Sequence, residues 1–285
     1  MGARRRKTEL HIAVPASLVS DIPHLRERTA AVGLVGRAAA IFRVDGIIVY
    51  RDPGAGGRDA SFLRLVLSYM ETPQYLRRRL FPLRPELRYV GILHPLRTPH
   101  HPTRSRRAEL RVGEFREGVV LGLREGGFTV DIGVEDPLFV EGRAPSLGSR
   151  VTVEVLEVEP RLRGRLRSRR EVGEYWGYRV RVSKSLGELL TRRRFDLSIA
   201  TSRRGRLLLE VIEPIRERWT SAERVLIAFG SPRMGLAEIL REEGLTLEDV
   251  FDFTVNTIPG QGCETVRTEE AIYSTLAILN LLIKD

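Results

Sequence analysis

"DFTVNTIPGQGCETVRTEEAI", residues 252–272, passes from an apolar segment through three loop breakers into a helical pattern. Pro259, Gly260 and Gly262 cannot continue a strand, and Thr268 with Glu269 and Glu270 behind it reads as an N-cap followed by an acidic first turn. The loop exposes main-chain amides and carbonyls, and the helix start concentrates unpaired N–H groups, so this strand–loop–helix unit is suited to hold a small polar ligand. The helix carries an apolar row, Ile272, Leu276, Leu279 and Ile283, widened by Ala271, Ile278 and Leu282. A stripe that wide is either a core face or a subunit interface.

Working outward, "FDLSIATS" (195–202) and "RVLIAFGSP" (224–232) repeat the pattern of an apolar strand ending in small or turn residues, with helical segments between. Alternation of this kind builds a mainly parallel sheet whose ligands sit beyond the carboxyl ends of the strands. Three loops are therefore candidates for one site: Thr201 to Gly205, Gly230 to Gly235 and Thr257 to Gly262. The amino-terminal part reads the same way, with strands "ELHIAVP" and "GIIVYRD" around a helix over residues 21–40, then one helix over "SFLRLVLSYMETPQYLRRRLF" stopped by Pro82 and Pro85.

"HPLRTPHHPTRSRR" (94–107) cannot form a packed core and marks a junction. Beyond it, "FREGVVLGL", "GFTVDIGV", "PLFVEG" and "RVTVEVLEVEP" are short strand-type runs between Gly and Pro turns, which predicts a small barrel of the oligonucleotide-binding kind. The expected organisation is a discontinuous α/β domain, 8–92 and 170–285, with a barrel domain inserted at 93–169. Phe115, Phe128 and Phe139 either fill the barrel core or stack bases.

The chain has 285 residues with 47 basic and 37 acidic side chains, and its excess charge is concentrated. Nine arginines between Arg77 and Arg107 face one acid, Glu86, and residues 161–170 hold six arginines and no acid. Such a surface suits a polyanion, because paired phosphates release counterions. Arg161, Arg163, Arg165, Arg167 and Arg169 alternate, so an extended chain would show them on one face, unless the stretch is only an exposed linker. Arg104, Arg106, Arg107, Arg161, Arg163, Arg165 and Arg167 are the expected RNA contacts. Cys263 is the only cysteine, which excludes an internal disulfide and fits a reducing, cytoplasmic setting. His94, His100 and His101 have no cysteine or tight carboxylate cluster beside them and read as a solvated or RNA-facing trio rather than a metal site. The basic amino terminus lacks the unbroken apolar run of a signal peptide, and no segment approaches a membrane span.

No lysine stands in a Walker setting, "DPGAGGRD" has Asp59 where a dinucleotide-binding loop needs its third glycine, and no nucleophile elbow is present. The wording of "RTAAVGLVGRAAAIFRVDGIIVY", "METPQYLRRRLFP", "GILHPLRTPHH", "YWGYRVR", "FDLSIATS" and "NTIPGQGCETVRTEEAI" resembles the archaeal and eukaryotic RNA methyltransferases of the SPOUT superfamily that carry an inserted oligonucleotide-binding domain. The likeness covers nearly the whole chain, although "FGSPRMGL" departs from the family wording. It implies a carboxy-terminal trefoil knot binding S-adenosylmethionine, a homodimer, and methylation of an RNA base in ribosomal RNA, with uridine N3 one candidate. Carried onto this chain, the cofactor loops would be Thr201 and Ser202; Gly230, Ser231, Pro232 and Gly235; Ile258, Pro259, Gly260, Gln261 and Gly262; and Thr265, Val266 and Arg267. Arg37, with Arg28 and Thr29 nearby, falls where the family carries a substrate-side arginine, the alternative being an ordinary helix-surface ion pair. A noncatalytic RNA-binding or ribosome-assembly factor on the same scaffold is the rival reading, and a DNA-binding protein a weaker one because no helix-turn-helix signature is evident.

Overall fold

The computed structural model describes residues 3–192 and 194–283. The chain divides into two compact units. One takes residues up to Arg5, Glu71–Arg84 and Pro95–Gly177; the other takes Arg6–Met70, Pro85–His94 and the chain from Tyr178 onward. The unit that holds the barrel therefore includes more chain than residues 93–169.

The first half of the sheet unit comprises β1 (Glu9–Pro15), α1 (Leu25–Ile41), β2 (Gly46–Tyr50) and α2 (Asp59–Glu71). The single helix expected over residues 61–81 is two, because Pro73 has no N–H to donate and biases Thr72 out of helical geometry; α3 (Gln74–Leu80) restarts beyond it. The barrel unit follows with β3 (Phe115–Arg124), β4 (Gly127–Asp131), β5 (Leu138–Glu141), β6 (Arg150–Glu157) and β7 (Arg163–Arg167). The sheet unit resumes with β8 (Arg179–Ser183), α4 (Leu186–Thr191), β9 (Leu197–Leu207), α5 (Leu208–Ser221), β10 (Arg224–Ala228), α6 (Leu236–Glu242), α7 (Leu247–Val250), β11 (Phe253–Asn256) and α8 (Thr268–Leu282).

The sheet has six strands in the order β11-β9-β10-β1-β2-β8, and every pairing is parallel. Helices must then return the chain between strands, which is why β1, β2 and β10 are apolar almost throughout: β2 is buried at all five positions. Ala13, Tyr50, Leu226, Ala228, Leu236 and Ile239 pack into one core below the carboxyl ends of β10 and β1. The Tyr50 hydroxyl is satisfied there by the Phe229 carbonyl at 2.6 Å, which pins the start of the loop after β10.

The five strands of the other unit close into a barrel in the order β3-β4-β5-β7-β6, antiparallel except for β5 with β7. Alternation decides its inside: Val120, Phe128, Val130, Leu138, Val153 and Val155 form the core. Phe128 is thus core, whereas Phe115 and Phe139 are half-buried.

Candidate active site

β11, β9 and β10 lie side by side, so the three candidate loops converge at one end of the sheet. They do so through an irregular ladder. Thr254 pairs with Ala200 but Val255 pairs with Arg206, so residues 201–205 of β9 are thrown out of its ladder with β11. Gly205 permits this return, since a Cβ there would stand 2.6 Å from the backbone carbon of Val255.

The loops are cross-tied. Thr201 Oγ1 donates to the Ala228 carbonyl at 2.9 Å, and Asn256 Nδ2 donates to the Arg203 carbonyl at 3.0 Å. Arg203 in turn donates to the Glu264 carbonyl at 3.1 Å. After β10 the chain folds on itself through Ser231, whose N–H donates to the Met234 carbonyl and whose hydroxyl accepts from the Met234 N–H, both at 2.9 Å. After β11 the Ile258 N–H donates to Asn256 Oδ1 at 2.9 Å, Gly260 takes a left-handed φ of 67°, and Gln261 Nε2 donates to the carbonyls of Cys263 and Glu264.

The expected cap of α8 is corrected by one residue. Arg267 holds the N-cap position, its N–H donating to Glu270 Oε2 at 2.8 Å. The Thr268 hydroxyl donates instead to the Gly230 carbonyl at 2.9 Å, which fastens the helix start to the loop after β10. Glu269 beside it is held above the usual carboxylate range by burial, an effect opposed by its own backbone N–H and by Arg267.

These loops enclose a cavity of about 340 Å³. Of the residues expected to hold a cofactor, Thr201, Ser202, Gly230, Ser231, Pro232, Gly235, Ile258, Gln261, Thr265 and Val266 line it. Pro259, Gly260, Gly262 and Arg267 are not among the lining residues. The lining also includes Arg203, Arg204, Met234, Glu238, Asn256 and Ala271, none of which was expected individually as a cofactor contact. Asn256 was discoverable as an Asx-turn residue at a strand end, and the two arginines lie inside a loop already singled out. The walls combine apolar surface from Met234, Ile258, Val266 and Ala271 with hydroxyl, amide and main-chain groups. That mixture can take a flat apolar ring and a polar tail.

Arg28, Thr29 and Arg37 all lie on α1 and outside the cavity lining. Arg28 is engaged by Asp59 and sits 5.1 Å from the centre of the Phe62 ring. Thr29 is fully buried and its hydroxyl donates back to the Leu25 carbonyl at 2.7 Å, so that side chain faces packing and not a ligand. Arg37 is half-buried, and its charge opposes the burial that holds the Tyr273 phenol above its ordinary range.

Within the barrel unit, the arginines expected as bare RNA contacts are largely paired. Arg163 is engaged by Glu141; Arg165 and Arg167 share Glu154 at 2.9 and 2.7 Å, and Arg167 also reaches Glu171 at 2.7 Å. The reason is register: Arg165 faces Glu154 directly across β6. Arg104 lies 3.3 Å from Glu114, and Arg107 reaches Asp136 and Glu159 at 2.9 and 3.1 Å. Arg106 and Arg161 are exposed. Arg169 leaves the ladder altogether. With Arg150 it enters a buried network around Glu71 and Glu117, in which Arg150 meets Glu71 at 2.6 Å and Thr152 donates to Glu117 at 2.7 Å. His100 belongs to this network, fully buried and 3.2 Å from Glu71, so it is neither solvated nor RNA-facing. No cluster of three or more potential metal ligands occurs among the described residues.

A parallel sheet with a cross-tied cavity at its carboxyl edge defines an α/β protein with room there for a small ligand of apolar and polar parts. Residues 9–279 match the family described as "Putative RNA methyltransferase", and the chain belongs to that family. A Drosophila melanogaster protein named 28S rRNA (uridine-N(3))-methyltransferase is 35% identical over 95% of this chain, which spans 61% of the fly protein. The human protein of the same name is 32% identical over 97% of this chain and 79% of its own length. An uncharacterized protein of Haloarcula marismortui is 34% identical over 95% of this chain and 98% of its own.

Proposed function

We propose that the chain is an S-adenosylmethionine-dependent methyltransferase acting on a base of ribosomal RNA, with uridine N3 as the acceptor atom. One observation carries the reading: in a chain matched from residue 9 to 279 by an RNA methyltransferase family, three neighbouring strand ends close on a cavity of about 340 Å³ with mixed apolar and hydrogen-bonding walls. Bound there, the cofactor would supply an electrophilic methyl carbon. Ile258, Val266 and Ala271 offer the surface for its adenine, Thr201, Ser202 and Asn256 offer polar side chains, and the loops after β10 and β11 offer main-chain groups. The protein's own contribution to transfer is to position the base and stabilise its developing charge. Arg37 is assigned that role from a second copy of the chain, since it lies outside the cavity lining of its own.

The same reading takes the sheet unit as a SPOUT trefoil-knotted fold, the barrel unit as an oligonucleotide-binding insertion, and the protein as a cytoplasmic homodimer. Exposed Leu34, Ile41 and Leu281 on α1 and α8 support a self-contact. No helix among the described residues is long and apolar enough to cross a membrane.

Calorimetric titration with S-adenosylmethionine, followed by assay of methyl incorporation into ribosomal RNA, tests the proposal. Saturable cofactor binding with incorporation at uridine N3 is expected; RNA binding with no cofactor uptake would establish the noncatalytic factor instead. Arg37→Ala should lower turnover by about a hundredfold and leave cofactor affinity unchanged. Unaltered turnover removes Arg37 from the mechanism.

A further inference from the structure

The barrel unit contains a second cavity, of about 630 Å³, built entirely from its own residues. Half-buried Phe115 and buried Trp176 form an aromatic wall, their rings 6.3 Å apart and crossed at 75°. The Trp176 indole N–H is already used by Glu117, so the ring is locked and offers its carbon surface. His101 lines the cavity as a neutral ring: burial, with the neighbouring His100, holds its pKa at about 3. Its Nε2 lies 2.7 Å from the Glu71 carbonyl and donates to it in that neutral form.

Two arginines complete the lining. Arg104 is placed by Glu114 at 3.3 Å, and Glu114 is shared with buried Arg116 at 2.7 Å; the lining's other acid, Glu174, is exposed, so Arg97, Arg104 and Arg116 stand against two carboxylates. Arg97 differs in kind. It is exposed, its guanidinium makes no hydrogen bond or ion pair among the described residues, and its backbone takes a left-handed φ of 52°. A non-glycine residue in that region is strained, and strain of this sort concentrates at ligand-holding positions.

We propose that this cavity binds one nucleotide of single-stranded RNA, its base packed on the Phe115 and Trp176 wall and its phosphate held by Arg97 and Arg104. Aromatic faces take unstacked bases of any identity, whereas a base inside a duplex cannot reach a pocket, so the site selects strandedness and not sequence. The inference rests on RNA being the substrate of the sheet unit, but its test does not require methyl transfer.

Binding of fluorescein-labelled hexauridylate, followed by anisotropy against a duplex of equal length, measures the preference. Single strand should bind at least about tenfold more tightly than duplex. Arg97→Gly keeps the left-handed backbone while deleting the guanidinium, and should weaken hexauridylate about fivefold to tenfold with no loss of thermal stability. Phe115→Leu should weaken it about tenfold. Photocrosslinking of 4-thiouridine-substituted hexauridylate, mapped by mass spectrometry, should place the adduct on Phe115 or Trp176. Wild-type affinity in Arg97→Gly and Phe115→Leu, equal affinity for duplex, or adducts confined to other peptides would overturn the site. S-adenosylmethionine titration of the same preparations distinguishes the two failures, because loss of nucleotide binding with intact cofactor uptake sinks only the cavity.

Discussion

Two regions of this molecule use polar groups in opposite ways. At the carboxyl edge of the sheet, hydrogen bonds run between loops and leave a cavity open, its walls combining apolar and charged side chains with hydroxyls, amides and main chain. In the barrel unit, Glu71, Glu117, Arg150, Arg169 and His100 are pulled from water and satisfy one another. Burial alone would raise Glu71, yet Arg150, Arg169 and His100 together hold it well below the usual carboxylate range. Burial would likewise lower Arg150, and the two glutamates raise it. The lesson is that an ion network withdrawn from water fixes one arrangement at high cost if broken, while side-chain bonds to main-chain carbonyls tie loops together and leave a cavity between them.

Breaking the network gives the largest expected effect. Glu71→Ala leaves two half-buried arginines and the buried His100 short of a partner and should cost the barrel unit about 3 kcal/mol. Denaturant unfolding checks this, because the chain's two tryptophans report separately: Trp176 lies in the barrel unit and Trp219 on α5 in the sheet unit. The Trp176 transition should move to lower denaturant while the Trp219 transition and S-adenosylmethionine affinity stay in place. A uniform shift of both would dissolve the contrast.

Gly205→Ala probes the other side. Its Cβ would meet the backbone of β11 at 2.6 Å, so the strand or the loop must move, at about 1–3 kcal/mol. About tenfold weaker cofactor binding is expected, read by calorimetry, with the Trp176 transition unmoved.

Acid should separate the regions without any substitution. Glu71 and Glu117 have folded pKa values depressed below the unfolded 4.5, so the stability they contribute is present above that value and is lost as pH falls through the folded ones. His101, at about 3 folded and 6.5 unfolded, also binds fewer protons when folded, so stability falls with pH from about 6.5 downward. The barrel unit should therefore weaken slowly below pH 6.5, where half-buried His11 weakens the sheet unit in the same sense, and steeply below 4.5, where Trp176 should change before Trp219 in a pH titration of fluorescence.

The smallest effect is expected at the barrel surface. Glu154→Gln frees Arg165 and Arg167 from their shared acid, and RNA affinity should rise about twofold to threefold with a steeper dependence on salt. Unchanged affinity and slope would show that this face of β7 is not used.

Much of this was legible beforehand, element by element. The three strand-end loops follow from apolar runs that stop at glycine or proline, whereas the choice of individual residues, Thr265 and Val266 beyond those loops among them, came from the family resemblance, and ten of those residues line the cavity. The split of the helix at Pro73 was written in the sequence too, but a continuous apolar row masked it. Pairing was the part that local reading missed. Five alternating arginines look alike in sequence, yet Arg165 and Arg167 face Glu154 across a strand while Arg169 turns inward to Glu71. Thr268 resembled a cap by composition, and only the neighbouring loop shows that its hydroxyl belongs to Gly230.

By itself, the sequence determined that the chain alternates strands and helices around a parallel sheet, that a strand-rich segment interrupts it, and that excess charge is arginine. Those follow from periodicity and composition, which act over a few residues. Tertiary structure alone decided which charges remain exposed, that His100 is buried, and that the throw-out of residues 201–205 lets three loops close on one cavity. Each of these depends on strand register and on partners far apart in the chain, and a hydrogen bond or ion pair has a sign and a strength only once its partner and its distance from water are set.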